Sequence, residues 1–350
     1  KTLVQTAGAV AGSGASVSVV GVNRELDEYV QRQLRVEMAG GSYAELRARF
    51  YDRLQLVYGT PGSSAAIETL YGNFTNALQA LAATPNSSTV RLQAVHAAQV
   101  LAQRLNGLSA DIQALRAEAE SGLAEATANA NEAMQAIAQL NQQLAGARAD
   151  DPAAAALMDQ RDRLIDQLAQ LMDIRVVKSD GNQLIVFTNS GVQLVGLKAA
   201  RLEFEPQSAM TATAQWSADP SRRGVGTLTL VSPNGDGLDL IASGSIRSGA
   251  IAAYVEMRDQ ALVAAQAQLD AFAAAMAQAL SDKTEAGTAV TVGAQSGFDL
   301  DLGGLVAGNT VRVTSTDASG TQRSITFVRV DDPAALPLDP GPDPNDRIVG

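Results

Sequence analysis

Residues 88–146 read STVRLQAVHAAQVLAQRLNGLSADIQALRAEAESGLAEATANANEAMQAIAQLNQQLAG. Leu101, Leu105, Leu108, Ile112 and Leu115 step by three or four positions. Gly122 interrupts, and the pattern resumes as Ala126, Ala130, Ala133, Ile137, Leu140 and Leu144. This second run is a heptad seam, the spacing that keeps one apolar stripe facing a partner helix. If unbroken, the helix is about 90 Å long. Such a helix cannot bury its stripe against itself, so the sequence predicts antiparallel helical partners along it and a rod.

Working outward, the partners are legible. On the N-terminal side, a Gly/Ser-rich stretch with the apolar run Val17 to Val22 reads as a strand or extended arm. Asn23 then has the place of an N-cap. Glu25, Asp27 and Glu28 precede Arg32 and Arg35, the charge order that suits a helix dipole. Gly40-Gly41 reads as a stop, and Ser42 to Glu45 as a capping box opening a second helix with Leu46, Phe50, Leu54 and Val57. A further helix carries Ile67, Leu70, Phe74, Leu78 and Leu81, and Pro85 ends it. Downstream, Asp151-Pro152 reads as a cap followed by proline at the first helical position, before Leu157, Leu164, Leu168 and Leu171.

The period then changes from three-to-four to two. Ser179-Asp180-Gly181-Asn182 between Arg175–Lys178 and Gln183–Phe187 is a hairpin signal. Short strands follow at Val192 to Val195, Leu202 to Phe204, Thr227 to Val231 and Leu238 to Ile241. A helical pattern returns at Ser248. Ile251, Val255, Arg258, Leu262, Ala265, Leu269, Phe272 and Met276 form a second heptad register, broken only by Arg258. Strands resume near Ala289, and a Pro/Asp-rich loop spans Asp332 to Asp346. The expected class is α+β and multidomain: an elongated helical bundle or rod with inserted small antiparallel β domains. The expected division is a helical rod at 1–173 and 245–285, an inserted β domain at 174–244, and a second β domain at 286–350, incomplete at its C-terminal end.

Composition narrows function. The 350 residues exceed the roughly 250–300 at which single cores stop growing. Alanine is abundant and aromatics are only 4%, which favours slim, closely packed helices. With 26 Lys+Arg against 37 Asp+Glu, the chain carries a formal charge of −11. That balance disfavours nucleic acid and anionic membrane surfaces, both of which select clustered cations. There are no cysteines, which removes disulfides, thiolate catalysis and cysteine metal sites. No signal peptide stands at the start, and no apolar run reaches the roughly 20 residues of a membrane span. The abrupt ends suggest an excised fragment. Neither a GxSxG elbow, a phosphate loop, an HExxH pair nor a dinucleotide fingerprint occurs, so no catalytic, cofactor-binding or metal site is expected. His96, alone among alanines, reads as a helix-face residue. Asn234-Gly235-Asp236-Gly237 reads as a plain turn, since it lacks the remaining ligands of a calcium loop.

Three segments together resemble the flagellar hook-associated protein 1 family. The first is Val19 to Val30 with Gln33-Leu34-Arg35. The second is Leu81 to Ser87 with Arg91. The third runs from Ile137-Ala138-Gln139-Leu140-Asn141 through Leu157-Met158-Asp159-Gln160-Arg161-Asp162 to Leu164–Leu168, and into the hairpin at Ile174–Val177 and Asp180-Gly181. The resemblance implies a structural protein, not an enzyme, that forms a ring of subunits between hook and filament. It implies the hook protein and neighbouring hook-associated proteins as partners, self-association of the full-length protein, and an export chaperone acting through terminal segments this chain lacks. It also implies an extracellular location reached by flagellar type III export. The fragment itself is expected to be monomeric. Arg24, Asp27, Arg35, Asp159, Arg161 and Asp162, charged positions inside the recognised segments, are the candidates for lateral subunit contacts. The alternatives are another flagellar axial protein (a flagellin or a different hook-associated protein) or a surface adhesin or interaction module.

Overall fold

The computed structural model describes residues 2–8, 16–23, 27–147, 152–179, 181–207, 210–281, 287–293, 295–299, 304–316, 319–338 and 346–350. The chain divides into two compact units, 1–276 and 277–350. It is α+β, with a long helical region and small, mostly antiparallel sheets.

In the first unit, strands β1 (Thr2–Gly8) and β2 (Ser16–Asn23) form an antiparallel pair. Asn23 therefore ends a strand and does not cap a helix. Helix α1 is Glu28–Tyr58, and its cap is Asp27, whose carboxylate accepts from the amides of Tyr29 (3.0 Å) and Val30 (3.1 Å). Gly40-Gly41 does not stop it. Ser42 to Glu45 lie inside one 31-residue helix, so the capping-box reading fails as well. The reason is tertiary. Glycine costs only about 1 kcal/mol in a helix interior, and Arg35, Ala39, Leu46, Phe50 and Leu54 hold one buried stripe across the glycines.

Helix α2 is Ile67–Ala83. Helix α3 runs unbroken over Ser88–Leu144, 57 residues and about 85 Å. Ser87 caps its start. Gly122 is no interruption: its missing side chain leaves the space occupied by the ring of Tyr254. Helix α4 is Pro152–Leu171, with the proline at its first position.

Two hydrophobic cores share α3. One gathers Leu46, Phe50 and Leu54 of α1, Phe74 of α2 and the Leu101–Ala119 part of α3. The other gathers Leu123 to Ala138 of α3 with Ile165, Leu168, Ala169 and Met172 at the end of α4. The strands close this second core. Strands β3 (Ile174–Lys178), β4 (Leu184–Thr188) and β5 (Gln193–Val195) make one antiparallel sheet. Strands β6 (Arg201–Phe204), β7 (Leu228–Val231) and β8 (Gly237–Asp239) make another. The β3–β4 turn has left-handed residues at Gly181 (φ 68°) and Asn182 (φ 62°), the conformation its hairpin signal demanded. Asn234-Gly235 is the turn between β7 and β8, with the Ser232 hydroxyl accepting from the amides of Asn234 and Asp236.

The chain then returns to the helices as α5 (Ala250–Glu256), a π turn (Met257–Ala261) and α6 (Leu262–Ser281). In the second unit, β9 (Thr288–Val292) pairs with β10 (Gln295–Asp299), and β11 (Thr310–Thr316) with β12 (Gln322–Val328), both antiparallel. The last strand, β13 (Asp346–Val349), joins β12 in parallel, so this sheet departs from the all-antiparallel expectation.

Candidate functional site: the polar joints of the helical body

Apolar stripes bring helices together, but they do not fix which residue faces which. Buried polar groups do, because each must find its partner. Three polar joints pin the first unit.

The first joins α3 to the sheets. Asn141 is fully buried. Its Nδ2 donates to the carbonyls of Leu184 (2.7 Å) and Gly196 (2.9 Å), and its Oδ1 accepts from the Leu184 amide (3.2 Å). Arg161 of α4 donates to the same Oδ1 (2.9 Å) and to the Asn182 carbonyl (2.6 Å). Ten residues earlier, Asn131 makes the matching pair with Leu202: Nδ2 to its carbonyl and its amide to Oδ1, both 2.8 Å. Two asparagines on one helix thus do for β4 and β6 what a neighbouring strand would do. Replacing Asn141 by alanine is expected to destabilise the chain by about 1–3 kcal/mol, the cost of leaving buried backbone groups unsatisfied. Chemical denaturation checks this, and an unchanged midpoint counts against the joint.

The second joint holds α1 on α4 and α5. Arg35, nearly buried, donates from Nε to Asp166 (2.7 Å) and from Nη2 to Asp162 (3.5 Å). Arg47 lies 3.0 Å from Glu256, whose carboxylate also accepts from the Tyr43 hydroxyl. Gly249, entering α5, donates its amide to the Ala39 carbonyl (3.1 Å).

The third joint is a buried cluster of four charges. Arg258 is fully buried and donates from Nε and Nη2 to the two oxygens of Asp259 (2.7 Å each) and from Nη1 to Glu120 (2.5 Å). Arg116, also fully buried, donates to the carbonyls of Arg258 (3.2 Å), Thr211 (3.0 Å) and Ala214, and to Gln113 (2.9 Å). Glu120 accepts the Gln207 amide (2.9 Å). Burial opposes the Arg258 charge, but the hydrogen bonds and charges of Asp259 and Glu120 outweigh it and raise its pKa. Burial lowers the Arg116 pKa against the pull of Asp259. Burial raises that of Asp259 against its bonds to Arg258.

At the end of α4, Asp173 Oδ1 accepts the Arg247 amide (3.0 Å). Burial raises its pKa, against the lowering effect of the Arg247 and Ser248 amides. A carboxyl whose folded pKa is raised costs stability when ionised, so that cost is present above the folded pKa and vanishes below the unfolded one. Asp173→Asn keeps an acceptor and is expected to raise the melting temperature at pH 7. The difference should close below about pH 4. A lower melting temperature at pH 7 contradicts this.

The six sequence candidates divide by place. Arg24 lies outside the described residues. Asp27 is an exposed helix cap. Arg35 and Asp162 pair with each other across α1 and α4, and Arg161 is buried in the asparagine joint. Asp159 is half-buried on α4. Sequence reasoning assigned no role to Asn131, Arg116 or Glu120, and it met Asn141 only as part of a resemblance segment. The one signal was Arg258, a charge sitting in a heptad position. His96 is exposed on α3. Among the described residues no group of three or more His, Asp or Glu is placed to hold a metal, and no helix is long and apolar enough to cross a membrane.

A long helix pinned by polar joints to small sheets is the class of architecture these residues build, and likeness to known proteins specifies it. Residues 51–300 match the model of the flagellar hook-associated protein FlgK helical domain. The chain belongs to that family. It is 25% identical over 284 residues to flagellar hook-associated protein 1 of Escherichia coli (strain K12), covering 81% of this chain and 49% of that protein. It is 26% identical over 186 residues to the protein of the same name from Bacillus subtilis (strain 168), covering 53% and 36%. Among solved structures it resembles the flagellar hook junction protein FlgK of Burkholderia pseudomallei, with a TM-score of 0.61 and 26% identity, covering 81% of this chain and 48% of that one. The chain spans about half the length or less of these relatives.

Proposed function

We propose that the protein to which this chain belongs joins the flagellar hook to the filament as a structural subunit of a ring. Its work is mechanical, not catalytic. The observation that carries this reading is the match of most of the chain to the hook-associated helical domain, together with the likeness to a solved hook junction protein. The polar joints suit the role: they hold helices and sheets in one register while neighbouring tubes pull on them. The partners we propose are the hook protein, adjacent hook-associated proteins, other copies of the full-length protein and an export chaperone. The location is extracellular, on the flagellum, reached by the flagellar type III route. We further propose that the helical rod (1–173 and 245–285) contacts neighbouring subunits. The inserted β segment at 174–244 faces outward. Of the charged candidates, Arg24, Asp27 and Asp159 are proposed for lateral contacts. Arg35, Arg161 and Asp162 support those contacts indirectly, by fixing α1 on α4.

The test is deletion of the full-length gene. Cells that make hooks, shed unattached flagellin and recover on complementation support the junction role. Cells that keep normal filaments and swim overturn it. The 350-residue chain alone is expected to sediment as a monomer at micromolar concentration. A stable ring there would contradict that expectation.

A further inference from the structure

The segment 251–276 carries two helical registers in one sequence. Ile251, Val255, Arg258, Leu262, Ala265, Leu269, Phe272 and Met276 are spaced so that a straight α-helix would line them all along one seam. The structure uses only the second half of that seam. Leu262, Ala265 and Leu269 pack in the core shared with α1 and α2. Upstream, that core receives Ala253 and Met257, two residues short of Val255 and one short of Arg258, while Ile251 and Val255 turn to the other core. The offset of one residue is absorbed by the π turn, where the Leu262 amide donates to the carbonyl of Met257, five residues back. One residue is about 100° of helix rotation. The turn also brings Arg258 and Asp259 inward together, onto Glu120 and the Arg116 guanidinium.

We propose that the α5–α6 segment is a two-register element, and that the buried Arg116–Glu120–Arg258–Asp259 cluster holds it in the bulged register. Packing alone selects the bulge weakly, because the straight helix offers one apolar seam, broken only at Arg258, in place of a divided one. The ion pairs do select it. In a straight helix seated by the apolar residues of α6, α5 with Arg258 and Asp259 rotates by about 100°, and the four charges can no longer all meet. A discrete choice between two packings, biased by a local charge cluster, is the form a structural switch takes.

The absence of cysteine allows a clean test. The Tyr43 hydroxyl donates to Glu256 across α1 and α5. A Tyr43→Cys/Glu256→Cys chain is expected to be bridged readily by a short dithiol-reactive cross-linker. The triple change Glu120→Gln/Arg258→Met/Asp259→Asn removes three of the four charges without stranding a carboxylate, while Arg116 keeps the carbonyls of Thr211 and Ala214. In that background the cross-linking yield should fall several-fold. Deleting the exposed Gln260 from the π turn as well removes the surplus residue, so a straight helix can seat both halves where they now lie, and cross-linking should return. Undiminished cross-linking in the triple variant overturns the proposal. So does a loss that the deletion fails to restore, because a change of register is then not what separated the cysteines.

Discussion

Replacing Arg258 alone by methionine is expected to lower the unfolding free energy by about 3–5 kcal/mol, the usual cost of breaking a buried ion pair from one side. Methionine is close to arginine in volume, flexible, and suited to an apolar site, so lost volume contributes little. What remains is the penalty on Glu120 and Asp259. Arg258 is the cation both contact, and Asp259 is already pushed toward its neutral form by burial. Arg116 compensates poorly, because its hydrogen bonds run to carbonyls and to Gln113. Urea denaturation at pH 7 measures the loss. A change below about 1 kcal/mol, the range of exposed ion pairs, would mean that the cluster is hydrated and contributes little.

The second large effect is expected at Gly249. Its φ of 87° with ψ of 174° lies in a region that only glycine occupies freely, and a side chain there costs about 1–3 kcal/mol. Space is lacking as well. A Cβ would lie 2.6 Å from the carbonyl carbon and oxygen of Leu171 and from the amide of Met172, all backbone atoms that cannot swing aside. Overpacking of this kind adds about 1–3 kcal/mol. Gly249→Ala is therefore expected to cost about 2–5 kcal/mol in denaturant. Gly40→Ala, where a Cβ meets nothing within 4 Å, is the matched control and should not destabilise. Equal midpoints for the two variants would show that the close approach of α5 to the end of α4 relaxes easily.

The long helix, its heptads, the hairpin after α4 and the helical return were legible because each rests on local spacing or on turn chemistry. The errors at Asn23 and Gly40-Gly41 share a cause. Caps and glycines are weak local signals, and the stripe from Arg35 to Leu54, buried against distant elements, overrode them. The joints were illegible for a related reason. Asn131 and Asn141 look like the polar face of a seam until β4 and β6, some 40 to 70 residues away, are laid beside them. Arg116 and Glu120 sit one position off the apolar stripe, where exposed charges normally fall, and only the loop carrying Gln207, Thr211 and Ala214 buries them. The resemblance segments around Asn141 and Arg161 were recognisable as strings. Their physical content, a side-chain amide standing in for a strand, emerged only in three dimensions.

The return of the chain at residue 249 also sets an order of events. Helices α2, α3 and α4 follow one another closely and can pair as they leave the ribosome. Helix α1 cannot complete its core then, since Ala253, Met257, Leu262 and Leu269 supply one wall of it and come some 200 residues later. Contacts so distant along the chain are slow to form. Until they do, Phe50, Leu54, Leu108 and Ile112 lack that cover, and the nascent chain carries an open apolar trough while some 200 residues are added. The last wall to arrive is the one that closes it.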